Sequence, residues 1–216
     1  MAKALTTAIL MTTVPKTIIF DLGKVIVDFD HMTFCRNASH YCEASPAAVY
    51  DKLFLSGLVS RFDDGTLSGE AFFEAACADL GLLADIDLFT RLWSDIFTLT
   101  SGIEQLLSEV KKRFRIVCLS NTNPWHFNWC REHFKILDSF DAFILSYKEC
   151  CCKPDLEIYR RALAKSQAPP DQCLFIDDSA ENVAAARQLT IQGIVFSSVD
   201  ALEKELRERG CLQHAA

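Results

Sequence analysis

The sequence has no hydrophobic run long enough to cross a membrane, and it has little positive charge. Its longest apolar runs are as short as β-strands, whereas a transmembrane helix needs roughly 20 apolar residues. The 216 residues include 22 Lys and Arg against 29 Asp and Glu, which gives a formal net charge of −7. Nucleic-acid binding depends on cationic contacts to phosphates, so we expect neither a nucleic-acid nor a membrane partner. No feature of the sequence indicates an oligomeric state.

The sequence also lacks any C-x-x-C pair, although it has ten cysteines. A chain of this length needs no disulfide framework, so we predict reduced thiols that act as small apolar side chains in a cytoplasmic protein. The run Cys150–Cys152 is a candidate metal site, but adjacent side chains point in different directions and no second Cys/His cluster has zinc spacing. The role of that run stays open.

Five short apolar runs are predicted to be buried parallel β-strands. They are residues 17–21, 115–120, 142–146, 173–177 and 193–196. Helical patterns lie between the later runs, one of them opened by a capping-box pattern of Ser101 and Glu104. This alternation predicts an α/β fold with a doubly wound, Rossmann-like parallel sheet. Residues 1–15 are predicted to be a flexible extension and not a signal peptide, since Lys3 is their only charge.

Residues 31–99 interrupt this alternation with helical patterns alone. Ser68 is a typical helix cap. A wide apolar stripe at helical spacing follows it, formed by Leu88, Phe89, Leu92, Trp93, Ile96 and Phe97. We therefore predict an all-helical cap domain over 31–99, inserted into a discontinuous core of 16–30 and 100–216. A cap beside the strand ends would close over a ligand.

Polar residues stand at the carboxyl ends of the predicted strands, where parallel sheets gather their functional groups. In chain order they are Asp21, Ser120, Asn121, Lys153, Asp177 and Asp178. Carboxylates, a hydroxyl, an amide and an ammonium group at one sheet edge suit the binding of a phosphate dianion beside a divalent cation.

Asp21 is the candidate nucleophile, whose carboxylate would form an acyl phosphate that water then cleaves. Mg²⁺ prefers hard oxygen ligands and is commonly shared between carboxylates and a substrate phosphate. The candidate magnesium ligands are Asp21, Asp178 and the backbone carbonyl of Gly23. Asp177 is either a further ligand or a residue that orients one.

The phosphate group is predicted to contact a lysine, a hydroxyl group and backbone N–H groups. The candidate substrate-binding residues are Leu22, Gly23, Ser120, Asn121 and Lys153. We expect Lys153 and Ser120 to act in catalysis together with Asp21, because both would balance the charge of the reacting phosphate.

Four segments, in order along the chain, resemble the four motifs of the haloacid dehalogenase-like hydrolase superfamily. They are Phe20–Gly23 (FDLG), Leu119–Asn123 (LSNTN), Lys153–Pro154 and Phe175–Asp178 (FIDD). The resemblance extends from Lys16 onward, and the helical insert resembles the first type of cap in that superfamily. Within it, the sequence is most similar to bacterial phosphatases that act on α-D-glucose 1-phosphate. The resemblance implies a Mg²⁺-dependent phosphatase that acts on a small phosphorylated, sugar-like metabolite.

One position departs from the superfamily's phosphatases, which usually place an acid/base aspartate two residues after the nucleophile. Gly23 occupies that position here and has no side chain for proton transfer. Lys24, His126 or a cap residue could replace it, or the protein could be a catalytically impaired relative that binds a ligand or a protein. Haloacid dehalogenases also lack the aspartate, but they need no metal. The neighbouring acids Asp177 and Asp178 therefore favour the phosphatase over the dehalogenase.

Four other polar residues have ordinary structural interpretations. His126 is predicted to be a packing residue, with catalysis as the alternative. Asp28 and Asp30 are predicted to be solvated or hinge residues, with sugar hydroxyl binding as the alternative. Asn182 is predicted to lie either near the metal's water shell or at the surface.

Overall fold

The computed structural model describes residues 13–213. The strands are β1 Thr17–Phe20, β2 Val27–Phe29, β3 Phe97–Leu99, β4 Arg115–Ser120, β5 Ala142–Leu145, β6 Cys173–Asp177 and β7 Gln192–Val195. The α-helices are α1 His31–Ala38, α2 Pro46–Tyr50, α3 Leu58–Asp63, α4 Gly69–Leu80, α5 Ile86–Ser94, α6 Ile103–Lys111, α7 Pro124–His133, α8 Ser146–Glu149, α9 Leu156–Ser166, α10 Ala180–Gln188 and α11 Val199–Glu208. Most of the predicted N-terminal extension, residues 1–12, lies outside the described range.

Five strands form one parallel sheet in the order β5-β4-β1-β6-β7. Its side chains alternate between two hydrophobic cores, so that Ile18 and Phe20 of β1 face one core while Ile19 faces the other. Helices α6, α7 and α11 cover the first face, and α9 and α10 cover the second. Because both faces are buried, the strands are continuously apolar in sequence. The predicted α/β fold with a doubly wound parallel sheet is confirmed.

The predicted capping box before α6 is wrong. The chain turns through Gly102 in the left-handed conformation, at φ 82°, and the helix begins only at Ile103 without a side-chain cap. The N–H of Ile103 donates to the carbonyl of Thr100 at 3.1 Å, which closes this turn. Ser101 therefore lies outside the helix and cannot pair with Glu104.

Helices α1 to α5 pack around a third hydrophobic core that is separate from the two cores of the sheet. Its largest fully buried side chains are Phe34, Leu53, Phe62, Phe72, Phe89 and Trp93. Many of these rings meet edge to face, as do Phe34 and Trp93 with centroids 4.9 Å apart. We propose that this helical unit is the cap predicted over residues 31–99.

A two-stranded antiparallel hairpin, β2 with β3, joins the helical unit to the sheet. Val27 pairs with Leu99 and Phe29 pairs with Phe97, so the outgoing and returning chains run side by side. The predicted helical stripe is wrong at Ile96 and Phe97 because α5 ends at Ser94. The returning chain extends there and pairs with β2, which satisfies its backbone hydrogen-bonding groups.

All ten cysteines have free thiols.

Within residues 13–213, no helix combines the length and the apolar character needed to span a membrane.

Candidate active site

A buried ion-pair cluster lies at the carboxyl ends of β1 and β6. Asp21 directly follows β1, and its N–H donates to the carbonyl of Ile176 at 2.9 Å. Its Oδ1 accepts hydrogen bonds from the N–H of Leu22 and from Lys153 Nζ, each at 2.7 Å. Lys153 Nζ also lies 2.7 Å from Asp177 Oδ2. One ammonium group, with only 2% of its side chain exposed, therefore bridges two carboxylates.

The charge states in this cluster follow from burial and from the neighbouring charges. Burial raises the pKa of Asp21 to about 7, although Lys153 opposes that rise. Burial disfavours the charged form of Lys153, but Asp21 and Asp177 outweigh this effect and raise the pKa of its ammonium group. Partial burial, with Asp177 beside it, raises the pKa of Asp178. The cluster therefore contains more acidic groups than its single cation can neutralise.

The donor atoms fit the predicted magnesium ion. Asp21, Asp177 and Asp178 each offer one carboxylate oxygen, and these oxygens lie within 4.8 Å of one another. Three acids face the single ammonium of Lys153, and Mg²⁺ prefers such hard, anionic oxygen ligands. Gly23 follows Asp21 by two residues in the chain and lines a small pocket.

Asp177 already has hydrogen-bond partners on both of its oxygens. Oδ1 accepts from the N–H of Ser179 at 2.8 Å, and Oδ2 accepts from Lys153 Nζ at 2.7 Å. Asn182 Nδ2 lies 3.0 Å from Oδ1 and 3.2 Å from Oδ2. Asn182 thus orients a buried acid and is not a simple surface residue. Of the two adjacent acids, the exposed Asp178 has the carboxylate that is better placed to accept a metal.

Asn121 holds the lysine loop in place through a reciprocal pair of hydrogen bonds. Its Oδ1 accepts from the N–H of Lys153 at 2.8 Å, and its Nδ2 donates to the carbonyl of Lys153 at 2.9 Å. These two bonds fix the orientation of the Asn121 amide, and the second N–H of its Nδ2 and its backbone are left to contact a phosphate. Ser120 is buried, and its Oγ makes one long contact of 3.4 Å to the carbonyl of Asn121. This hydroxyl can turn toward a bound anion.

A small pocket of about 80 Å³ opens beside the cluster, between the sheet and the helical unit. Core residues on its wall include Leu22, Gly23 and Ser120, and the helical unit contributes His31 and Asp63. The remaining lining residues are Val27, Phe29, Val59, Phe97, Asn121, Thr122 and His126. The pocket thus combines polar groups at the sheet edge with aromatic and apolar walls.

Phe29 occupies the space that a side chain at residue 23 would need. A Cβ atom built on Gly23 would lie 2.9 Å from Cε1 of Phe29, closer than real contacts allow. The Phe29 ring is itself packed against Phe97, with centroids 5.6 Å apart. An acid/base aspartate at residue 23 would therefore fit only if the Phe29 ring shifted.

Lys24, one candidate for the missing acid/base group, forms an exposed ion pair. Its Nζ lies 2.5 Å from Asp28 Oδ1 and 2.6 Å from the carbonyl of Phe29. Asp30 caps α1 by accepting from the N–H of Met32 at 2.9 Å. Asp28 and Asp30 are exposed, as predicted for solvated residues.

His126 is a packing residue, as predicted. Its Nε2 lies 3.0 Å from the carbonyl of Trp93, and its Nδ1 lies 3.1 Å from Asn123 Nδ2. The imidazole also stacks on the indole of Trp93, with centroids 5.0 Å apart. Burial lowers the pKa of His126 to about 3, so the ring is neutral at pH 7. Both nitrogens are occupied, which leaves neither for catalysis.

Sequence reasoning missed Asp63, Asn123 and Ser146, which form a polar contact between the helical unit and the core. Asn123 Nδ2 donates to Asp63 Oδ1 at 2.9 Å. Ser146 Oγ donates to the carbonyl of Asp63 at 2.5 Å. Asn123 precedes Pro124 and caps α7, a pattern that could have been recognised as a helix start. No sequence pattern marks Asp63 as a pocket residue.

The parallel sheet, the inserted helical unit and the acid cluster define the class of α/β hydrolases. The haloacid dehalogenase-like hydrolase family matches residues 15–190. The chain belongs to this family, as the four motifs predict.

The names of two relatives describe phosphatases of sugar alcohol phosphates. D-ribitol-5-phosphate phosphatase of Bacteroides thetaiotaomicron is 27% identical over 182 residues, which cover 81% of this chain and 88% of that protein. Hexitol phosphatase B of Escherichia coli is 26% identical over 104 residues, 48% of this chain and 47% of that protein.

A solved structure shares the fold. It is a family enzyme from Bacteroides thetaiotaomicron in complex with magnesium and inorganic phosphate, and it is 23% identical to this chain. The two structures superpose with a TM-score of 0.76 over 86% of this chain and 96% of that one.

Buried, neutral His126 predicts a specific pH dependence of stability. Because its pKa is about 3 in the folded protein against 6.5 ordinarily, only the unfolded chain binds a proton between these values. The stabilisation by neutral His126 is therefore lost as pH falls below 6.5. In urea unfolding, the free-energy advantage of wild type over His126→Gln should shrink by about 2 kcal/mol between about pH 7.5 and about pH 5. The exposed His40→Gln is the control, and an advantage that does not change with pH contradicts the assignment.

Proposed function

We propose that the protein is a Mg²⁺-dependent phosphatase that hydrolyses a small sugar- or polyol-type phosphate monoester through an aspartyl phosphate on Asp21. The observation that carries the proposal is the buried Asp21–Lys153 pair, 2.7 Å apart, within reach of Asp178. A protein that only binds its ligand has no need of a nucleophile held in this way. Its family membership and the named activities of its relatives support the same reaction class.

Two residues bind and orient the phosphoryl group in this proposal. Lys153 neutralises one phosphate oxygen, while the buried hydroxyl of Ser120 donates to another. Backbone N–H groups following Asp21 and Ser120 supply further donors. The N–H of Leu22 holds Asp21 Oδ1 in position at 2.7 Å, which orients the carboxylate for in-line attack on phosphorus.

Magnesium would be held by Asp21, Asp178 and the backbone carbonyl of Gly23. When bound, the ion would neutralise the repulsion between carboxylate and phosphate and stabilise the charge of the transition state. Asp177 orients Lys153, since both of its oxygens already accept hydrogen bonds.

The substrate in this proposal is a phosphorylated sugar or sugar alcohol, and α-D-glucose 1-phosphate is the first compound to test. The small pocket, the resemblance in the motif segments and the name of the ribitol phosphate relative support this class. Ten free thiols are compatible with a reducing compartment, so we place the reaction in the cytoplasm.

Replacing the nucleophile tests the proposal directly. We expect Asp21→Asn to lower phosphatase activity on p-nitrophenyl phosphate and sugar phosphates by about 1,000-fold or more, because no covalent intermediate can form. Wild-type activity should require Mg²⁺ and disappear in EDTA. Acid quenching during turnover should trap labelled phosphate on wild type only. The exposed Asp28→Asn, which removes a nearby charge, is the matched control.

Two outcomes would contradict the phosphatase. Metal-independent chloride release from 2-chloropropionate, without phosphatase activity, would indicate a haloacid dehalogenase. A folded protein that turns over neither substrate type but binds sugar phosphates would indicate a catalytically impaired relative.

Removing the buried cation should destabilise the protein. Lys153→Met leaves Asp21 and Asp177 buried without their cation, so in EDTA we expect the unfolding free energy to fall by about 3 to 5 kcal/mol. Activity should also be lost. The measurement is urea unfolding, and the exposed Lys165→Met serves as the control. Stability equal to wild type would show that the ion pair is not required by the fold.

A further inference from the structure

The pocket contains a carboxylate whose function is unassigned, and its wall also includes the glycine where the family's acid/base residue normally stands. We propose that Asp63, from the helical unit, is the catalytic residue that donates a proton to the leaving alcohol and then activates the hydrolytic water. This inference rests on the proposed phosphatase function. It identifies the group that performs the role for which Gly23 has no side chain.

Asp63 is the last residue of α3, and it lines the same pocket as Gly23 and Ser120. Two contacts from the core hold it there. Its backbone carbonyl accepts from Ser146 Oγ at 2.5 Å, and its Oδ1 accepts from Asn123 Nδ2 at 2.9 Å. Asp63 is therefore held both at its backbone and at its carboxylate, as a group that transfers protons must be.

The orientation of Asn123 is itself determined by its neighbours. The residue is fully buried, and its Oδ1 accepts from the N–H of His126 at 3.0 Å as the cap of α7. Its amide nitrogen must then point toward Asp63. Because this donor contacts Oδ1, the second oxygen of Asp63 remains available for a substrate or a water molecule.

The surroundings of Asp63 suit an acid that works near neutral pH. Among the described residues, no cation forms an ion pair with it. Burial raises the pKa of Asp63 to about 6, with Asn123 opposing and Asp64 adding to the rise. A catalytic group performs both proton donation and proton acceptance best when its pKa lies near the working pH.

The other titratable groups of the pocket are less suited to this role. His31 also lines the pocket, and its Nδ1 has no hydrogen-bond partner among residues 13–213. Burial lowers the pKa of His31 to about 4, so it carries no proton to donate at pH 7. Lys24 is paired with Asp28, and both nitrogens of His126 are occupied.

The proton and bond changes balance over the two steps. In the first, an oxygen of Asp21 bonds to phosphorus, the ester P–O bond breaks, and the Asp63 carboxyl proton moves to the leaving oxygen to give the free alcohol. In the second, the Asp63 carboxylate takes a proton from water as that water's oxygen bonds to phosphorus. The bond between phosphorus and Asp21 breaks, which releases inorganic phosphate and restores both acids.

Leaving groups that differ in basicity test this assignment. An alkoxide must be protonated as it leaves, whereas 2,4-dinitrophenolate leaves without a proton. For Asp63→Asn we expect kcat/KM on an alkyl phosphate such as a hexitol phosphate to fall by about 100- to 10,000-fold. For 2,4-dinitrophenyl phosphate, kcat/KM should change by less than about threefold. Since water activation is also lost, kcat on the aryl ester should fall after a burst of one dinitrophenolate per enzyme.

Asp64→Asn is the matched control, because the Asp64 carboxylate accepts from the N–H and hydroxyl of Thr66 in the turn after α3. It keeps the Asp63 carboxyl group and removes only the small effect of the Asp64 charge on its pKa, so kcat/KM should change by less than about threefold on both substrates. Asp63→Glu keeps a carboxyl group and should show a smaller gap between the substrates than Asp63→Asn. If Asp63→Asn does not fold, the difference between the kcat/KM losses of Asp63→Glu on the two esters tests the assignment.

An equal loss of kcat/KM on both esters, or no loss at all, would overturn the role of Asp63. The same holds for Asp63→Glu if its losses on the two esters are equal. Failure of the proposed function is a separate result, because the wild-type protein would then hydrolyse neither ester and form no labelled phosphoenzyme.

Discussion

Lys153 lies between Asp21 and Asp177, with its ammonium group 2.7 Å from a carboxylate oxygen of each. All three side chains are buried, so each would be costly to bury alone and the arrangement is stable only when they meet. They come from three distant segments, after β1, after β5 and at the end of β6. Asn121 adds the fourth segment, after β4, by binding both backbone groups of Lys153. These contacts thus join the carboxyl ends of β1, β4, β5 and β6, and the geometry of the candidate site follows from them.

The core and the main acids could be predicted from sequence because they depend on local patterns. Strands buried on both faces are continuously apolar, and the polar residues after them mark their carboxyl ends. The hairpin could not be predicted in this way, because Phe29 and Phe97 become strand residues only by pairing across the whole helical unit. The position of Asp63 could not be predicted from the sequence for the same reason. Its partners lie 60 and 83 residues away, and only the folded chain brings them together.

The contacts that seat the helical unit on the core also shape the pocket. Asn123 binds Asp63 of α3, and His126, one turn further along α7, contacts the carbonyl of Trp93 at the end of α5. Ser146 contributes a third hydrogen bond. The same side chains that attach the helical unit therefore also determine where its polar groups lie relative to the core. Under the proposal, an alteration at this interface would change both catalysis and stability. Of the interface residues, only Asn123 belongs to one of the four family motifs.

The hairpin supports the proposal that a residue of the helical unit transfers the proton. The ring of Phe29 occupies the space beside Gly23, so an aspartate at the usual place would require that ring to shift. An acid at that place would belong to the core and be present whatever the position of the cap. Asp63 lines the pocket in a structure in which α3 contacts Asn123 and Ser146. Under the proposal, the proton for the leaving alcohol is therefore available only when the cap is seated, which is also when bulk water is excluded from Asp21. Under this proposal, moving the acid from the core to the cap would make bond cleavage conditional on closure.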